Sequence, residues 1–197
     1  MLLEQVYENA PTVKSGTHYT TINEFTDQQP ALRPDVLIEA RNRLCKIGEF
    51  VANKILVEED KGAILGAAIC LEKKLPLAVA RWYNYDLINS LVVPIKSEYF
   101  TGNLYMNGIS PGDRVVIVDD TISTGGTLAA LIEAVNKAGA KVVEILVAVE
   151  KVDYGGVKKI QAKYNLPVKS LIQISIDPLT HRTKVLTNKI THLQTAQ

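Results

Sequence analysis

RVVIVDDTISTGGT, residues 114–127, joins a strand pattern to a helix pattern. Its first half is a short apolar run bounded by charge, the pattern of a strand buried on both faces of a parallel sheet. Asp119 and Asp120 close the run, and small hydroxyl-bearing residues and glycines follow before the helical pattern GTLAALIEAVNK begins. A strand that gives way to a helix in this manner presents backbone N–H groups at the helix amino end, where they attract an anion. Gly125 and Gly126 let the backbone come close to a phosphate, while Ser123, Thr124 and Thr127 add hydroxyl donors. The spacing predicts a phosphate cradle with a carboxylate pair just upstream, able to accept hydrogen bonds from sugar hydroxyls or to approach a hydrated Mg2+. A sugar phosphate satisfies both halves. The plain alternative is an acidic strand end that caps the next helix. A nucleotide P-loop is excluded, because GxxxxGK[ST] is absent and no lysine follows the glycines.

Downstream, Leu128, Leu131, Ile132 and Val135 share one helical face, and KVVEILVAVE reads as the next strand. GGVKKIQAKYNL and PVKSLIQISI repeat the helix–strand order. Upstream, PLAVA reads as a buried strand after a short helix carrying Ile64, Leu65, Ala68 and Leu71. A long amphipathic helix is predicted from Pro34, with Leu37, Leu44, Ile47, Val51 and Ile55 on one face. Residues 82–108, rich in tyrosine and polar groups, read as an excursion of one or two antiparallel strands with a mobile loop between them. The pattern is α/β, a mainly parallel sheet with helices on both faces. One domain is expected over 1–197: an irregular N-terminal hood (1–33), a core (34–176) and a C-terminal tail (177–197) whose end, THLQTAQ, is polar.

Composition narrows the function classes. With 197 residues and 47% hydrophobic side chains the chain can bury a full core. A net charge of +1 from 22 basic and 21 acidic residues leaves no electrostatic footprint for nucleic acid or an anionic membrane, so a bound anion must be held locally. Cys45 and Cys70 are too few for a disulfide framework or a metal site and are expected to be buried thiols. No basic leader or membrane-length apolar run is present, which points to a soluble, cytoplasmic protein. His18, His181 and His192 have no neighbouring base or nucleophile in sequence and receive no catalytic role.

VVIVDDTISTGGT resembles the signature that binds 5-phosphoribosyl-1-pyrophosphate (PRPP) in type I phosphoribosyltransferases. YTTINEFTDQQPALRPDVL, GNLYMNGISPGDRVVIVDD and VKSLIQISI are similar to the adenine phosphoribosyltransferase branch, and particularly to archaeal hypoxanthine phosphoribosyltransferase-like proteins. The similarity runs from near Thr12 to near Ile176. It implies the type I phosphoribosyltransferase fold, with a small N-terminal hood and a mobile antiparallel excursion, and a homodimer. It also implies that Asp119 and Asp120 hold the ribose hydroxyls and, through water or PRPP, Mg2+, while residues 121–127 hold the 5-phosphate. The family's pyrophosphate loop, commonly acid-x-Arg-Gly, corresponds to Glu59, Asp60, Lys61 and Gly62, and lysine meets a diphosphate without the bidentate fork of arginine.

Two departures stand out. After PLAVA the family carries an arginine and nearby lysines that grip PRPP; here Arg81 is kept but Trp82, Tyr83 and Asn84 replace the basic run. Relatives carry a glutamate before the LY strand, where this chain has Asn103, and an amide cannot take a proton as a carboxylate does. Glu98, in the loop, is the candidate substitute. Phe25 and Tyr99 are candidates for the wall against which a base stacks, and Lys151 for a donor to an exocyclic oxygen. The resemblance implies a purine phosphoribosyltransferase that acts on adenine or a 6-oxopurine and releases pyrophosphate. A PRPP-binding sensor without turnover, or a transferase for an unusual heterocycle, remain as alternatives.

Overall fold

The apolar run of the opening stretch forms a strand without solvent contact: Val115, Val116, Ile117 and Val118 are each 0% exposed. Burial of one such side chain stabilises the fold by about 1.5–3 kcal/mol. The computed structural model describes residues 1–16, 18–84, 87–88, 90–96 and 101–186. Its elements in chain order are α1 (Leu2–Tyr7), β1 (Thr12–Ser15), β2 (His18–Thr21), α2 (Glu24–Asp27), α3 (Pro34–Ile47), β3 (Lys54–Glu58), α4 (Gly62–Lys73) and β4 (Leu77–Arg81). There follow β5 (Leu91–Lys96), β6 (Thr101–Met106), β7 (Arg114–Ile122), α5 (Gly126–Lys137), β8 (Lys141–Lys151), a 3-10 turn (Val152–Tyr154), α6 (Gly156–Tyr164), β9 (Val168–Ile176) and β10 (Thr183–Leu186).

Eight strands form one sheet in the order β10-β9-β8-β7-β3-β4-β6-β5. The strands from β9 to β4 run parallel, while β10 on one edge and the β5–β6 hairpin on the other are antiparallel additions. Side chains alternate between two cores, as the strand period of two requires. Val115, Ile117, Ile145 and Val147 pack with Leu128, Leu131, Val135 and Ile160, from α5 and α6. Val116, Val118, Leu146 and Ala148 pack with Leu3, Val36, Leu44, Leu65 and Ile69, from α1, α3 and α4. The expected mainly parallel sheet with helices on both faces is what forms, antiparallel excursion included.

Several expectations are corrected. Helix α3 ends at Ile47, where the Gly48 N–H donates to Leu44 O at 2.9 Å. Ile55 is in β3 and Val51 is 61% exposed, so the apparent helical period past Ile47 runs across a loop into a strand. In α4 the buried side chains are Leu65 and Ile69, while Ile64 and Leu71 are 39% and 80% exposed. An almost wholly apolar helix carries two competing periodic sets and does not announce its buried face. Cys45 and Cys70 are half-buried, not buried. Among the described residues no helix is long and apolar enough to cross a membrane.

The N-terminal segment is not irregular. Helix α1 has no side-chain cap of its own; the carboxylate of Glu39, on α3, accepts from Leu2 N at 2.8 Å and Leu3 N at 3.2 Å. A cap supplied from so far along the chain leaves no local signal. The tail also contributes structure, because Asn9 N donates to Thr183 O and Thr183 N to Ala10 O, both at 3.0 Å, as β10 joins the sheet edge.

Candidate active site

Strand β3 is the place where the chain reverses its direction across the sheet. The chain leaves β3 through α4 to β4 on one side, whereas β7 lies on the other and continues into α5 on the opposite face. A crevice between the carboxyl ends of β3 and β7 is the position where open α/β sheets bind ligands. The pyrophosphate-loop candidates and the Asp119–Asp120 cradle meet there: a Cβ placed on Gly62 would lie 2.8 Å from Asp119 Oδ1.

The cradle is a concavity lined by Asp119, Thr121, Ser123, Thr124, Gly125, Gly126 and Thr127, among others. Helix α5 begins at Gly126, so its unpaired N–H groups and positive dipole end open into the same space. Ser123 Oγ is buried and has no hydrogen-bond partner among the described residues, a state that an oxyanion in the cradle would relieve. The strand itself is longer than the apolar run suggests. Pairing with β8 continues through Thr121 with Val149 and Ile122 with Glu150, so both aspartates are strand residues.

Asp119 and Asp120 are buried at 5% and 6% exposure. Burial raises the pKa of Asp119 well above the ordinary carboxylate value, and the charges of Asp120 and Glu58 push it further. Asp120 is also raised by burial, with a hydrogen bond from the Thr121 hydroxyl and the charge of Lys61 acting against the rise. A buried carboxylate pair of this kind is strained when empty and suited to accepting several sugar hydroxyls.

Around the pair the candidates are distributed unevenly. Lys61, at the start of α4, forms an ion pair of 2.7 Å with Asp27 on α2. Burial works to lower its pKa, but that carboxylate and the charges of Asp120 and Asp60 leave it raised, so Lys61 stays cationic. Arg81 ends β4, with Nη1 3.3 Å from Val79 O. Lys151 ends β8, is 2% exposed, and donates from Nζ to Tyr19 O at 3.1 Å beneath the β1–β2 hairpin. Phe25 departs from expectation: Asn23 caps α2 by accepting from Phe25 N at 2.8 Å, and the ring is buried at 4% in the core with Leu3 and Tyr7. That position gives it almost no face for a base. Glu98, Tyr99 and His192 lie outside the described residues. Asn103 is in β6, opposite Pro94.

Two features escaped the sequence. Gly156, the first residue of α6, donates its N–H to Ser123 O at 3.0 Å, so α6 carries the cradle on its amino end. The only signal was the doublet Gly155-Gly156 at a helix start, where glycine is a poor helix former. The second is Glu58. It accepts from Asp60 N at 2.8 Å and from Trp82 Nε1, while Trp82 N donates to Glu59 Oε1 at 2.7 Å. Trp82, which stands where the basic run was expected, thus ties the loop after β3 to the end of β4.

Burial pushes the Glu58 carboxyl up to about 7 from 4.5, with Asp60 and Asp120 adding to the rise and the two donors opposing it. The folded protein therefore keeps a proton that the unfolded chain has released, and stability falls as pH rises from 4.5 to about 7. The loss through Glu58 alone amounts to roughly 3 kcal/mol. Thermal melts of the ligand-free protein should show this slope, and Glu58→Gln should flatten it. As the sole tryptophan of the chain, Trp82 should report the same titration in its fluorescence.

An α/β sheet with a carboxylate pair and an anion cradle at its switch point defines a class of protein built to bind a phosphorylated, hydroxyl-rich ligand. A model of the phosphoribosyl transferase domain matches residues 59–177. The hypoxanthine/guanine phosphoribosyltransferase of Methanohalobium evestigatum is 37% identical over 175 residues, which covers 89% of this chain and 90% of that protein. The enzyme of the same name from Methanocaldococcus jannaschii is 36% identical over 177 residues, covering 89% and 96%. The adenine phosphoribosyltransferase structure from Rhodothermus marinus superimposes with a TM-score of 0.71 at 29% identity, over 87% of this chain and 97% of that one. The chain belongs to the phosphoribosyl transferase family.

Proposed function

We propose that the protein transfers the 5-phosphoribosyl group of PRPP to a purine base and releases pyrophosphate. The observation that carries this reading is the buried Asp119–Asp120 pair running directly into the Ser123–Thr127 cradle at the switch point. The cradle takes the 5-phosphate, the aspartates take the ribose hydroxyls, and Lys61 with Arg81 faces the diphosphate. Positive charge that grows on the ribose as pyrophosphate leaves is stabilised by the same two carboxylates.

Among the described residues no group of three or more His, Cys, Asp or Glu side chains is placed to hold a metal ion. The donor set fits an Mg2+ carried by the diphosphate, with Asp119 and Asp120 meeting its water ligands, since this ion keeps several waters and prefers phosphate oxygens. When bound, it neutralises charge on the leaving group. Lys61, separated from Asp27 by the arriving diphosphate, supplies the protein's own share of that neutralisation.

The names of the two archaeal relatives and the buried ammonium of Lys151 favour a 6-oxopurine, hypoxanthine or guanine, over adenine. An ammonium donates and cannot accept, which suits a carbonyl at the 6 position and not an amino group. Pyrophosphate release measured with Mg2+ and PRPP should be strictly dependent on added base, and faster with hypoxanthine or guanine than with adenine. Release without a base would replace transfer by hydrolysis, and PRPP binding without release would leave a sensor.

A further inference from the structure

Tyr7 closes α1 and lies outside the residues matched by the family model. Its side chain is 0% exposed, yet its hydroxyl has no hydrogen-bond partner of normal geometry among the described residues. A buried hydroxyl left in that state destabilises the free protein, so something else accounts for tyrosine at a place where phenylalanine would pack as well.

The hydroxyl sits beside the side chains of Asn23, Thr26 and Thr121, in the field of the Asp120 carboxylate. Asn23 Oδ1 is committed to Phe25 N and Thr26 N, at 2.8 and 3.1 Å. Thr26 Oγ1 receives Asn23 Nδ2 at 3.0 Å and donates to Asp27 at 2.6 Å. Thr121 differs, because it lines the cradle directly after Asp120, where its hydroxyl can donate to that carboxylate while its lone pairs accept. Burial and the charge of Asp120 hold the tyrosine pKa far above its usual value, so the group is a donor at every working pH.

We propose that Tyr7 is a positioning residue for the ribose-binding acids: in the liganded protein its O–H donates to Thr121 Oγ1, which locks the Thr121 proton on Asp120. The inference rests on the PRPP reading of the site. It makes the N-terminal helix a working part of that site, because the hydroxyl gains its partner only as Asp120 engages the sugar.

The test is calorimetric titration of Mg2+-PRPP into the wild type, Tyr7→Phe, Thr121→Val and the double variant, with melting temperatures of all four ligand-free proteins. Tyr7→Phe should bind about 10-fold more weakly, the size of one buried hydrogen bond, while melting at or above the wild-type temperature. In the Thr121→Val background the same change should alter affinity less than about twofold, since the two act as one unit. Unchanged affinity in Tyr7→Phe, an equal loss in both backgrounds, or a lower melting temperature would overturn the inference alone. A wild type that does not bind PRPP would overturn the function as well.

Discussion

Asp120→Asn is expected to lower kcat/KM for PRPP by roughly 100-fold, a loss of about 3 kcal/mol for a charged acceptor of a sugar hydroxyl. The same change should leave the ligand-free protein at least as stable as the wild type. Asp119 and Asp120 are adjacent and buried, burial holds both pKa values above the ordinary range, and the Asp120 charge raises Asp119 further. Removing the Asp120 charge relieves about 1 kcal/mol or more of the cost of burying it, which for a chain of this size raises the melting temperature by roughly 3 °C. Stability and activity thus move in opposite directions, the mark of a site whose strain is relieved by its ligand. A substitution that harmed only the fold would lower both.

The pH dependence has the same opposition. Acids whose pKa is raised on folding retain protons in the folded state that the unfolded chain has lost, so rising pH destabilises the free protein. PRPP, which needs the ionised pair to accept its hydroxyls, should bind more tightly over that same rise. Glu39 and Asp113 act in the other sense. Hydrogen bonds from Leu2 and Leu3 and the Arg43 guanidinium outweigh the effect of burial on Glu39, and Lys54 with its neighbours does so for Asp113. Their depressed pKa values make stability fall again below the ordinary carboxylate range, so the free protein should be most stable within that range, at about pH 4–5. Melting temperature against pH, with and without saturating PRPP, reads both effects in one experiment.

Gly156→Ala is the second large effect. A Cβ on Gly156 would lie 2.2 Å from Ser123 O and 2.9 Å from Gly125 N, both backbone atoms of the cradle. No rotamer relieves such a clash, so either α6 withdraws or the cradle moves. A displacement on the order of 1 Å at groups that position substrate lowers turnover by about 100-fold, and overpacking adds about 1–3 kcal/mol of destabilisation. The signature is a raised KM for PRPP with the base KM little changed, because the damage is to the phosphate end. Steady-state kinetics with each substrate varied in turn would show it. Equal loss at both substrates would place the damage elsewhere.

The legible part of the sequence was the part whose signals are local. Residues 114–127 carry an apolar run, an acid pair, hydroxyls and glycines within a few residues of one another, and each signal agrees with the next. The α5 face of Leu128, Leu131, Ile132 and Val135 was equally plain, and all four are buried. What the sequence hid depends on contacts across the fold. Helix α1 is capped by Glu39, Trp82 is held by Glu58 and Glu59, Lys61 is paired with Asp27, and the cradle rests on Gly156. Strand β7 outlasts its apolar run because the ladder to β8 pairs backbone groups whatever the side chains are. Phe25 looked available for a base because it is an aromatic side chain of the N-terminal hood. The turn fixed by Asn23 sends the ring into the core instead.

On the proposed function, this site joins ribose 5-phosphate to a purine. The most direct test is mass-spectrometric detection of product after the protein is incubated with Mg2+, PRPP and an equimolar mixture of adenine, hypoxanthine, guanine, xanthine and uracil. The structure leads us to expect new nucleoside monophosphate of hypoxanthine or guanine, absent with Asp119→Asn/Asp120→Asn. No monophosphate from any base, while PRPP binding is intact, would contradict transfer and leave a binding protein in its place.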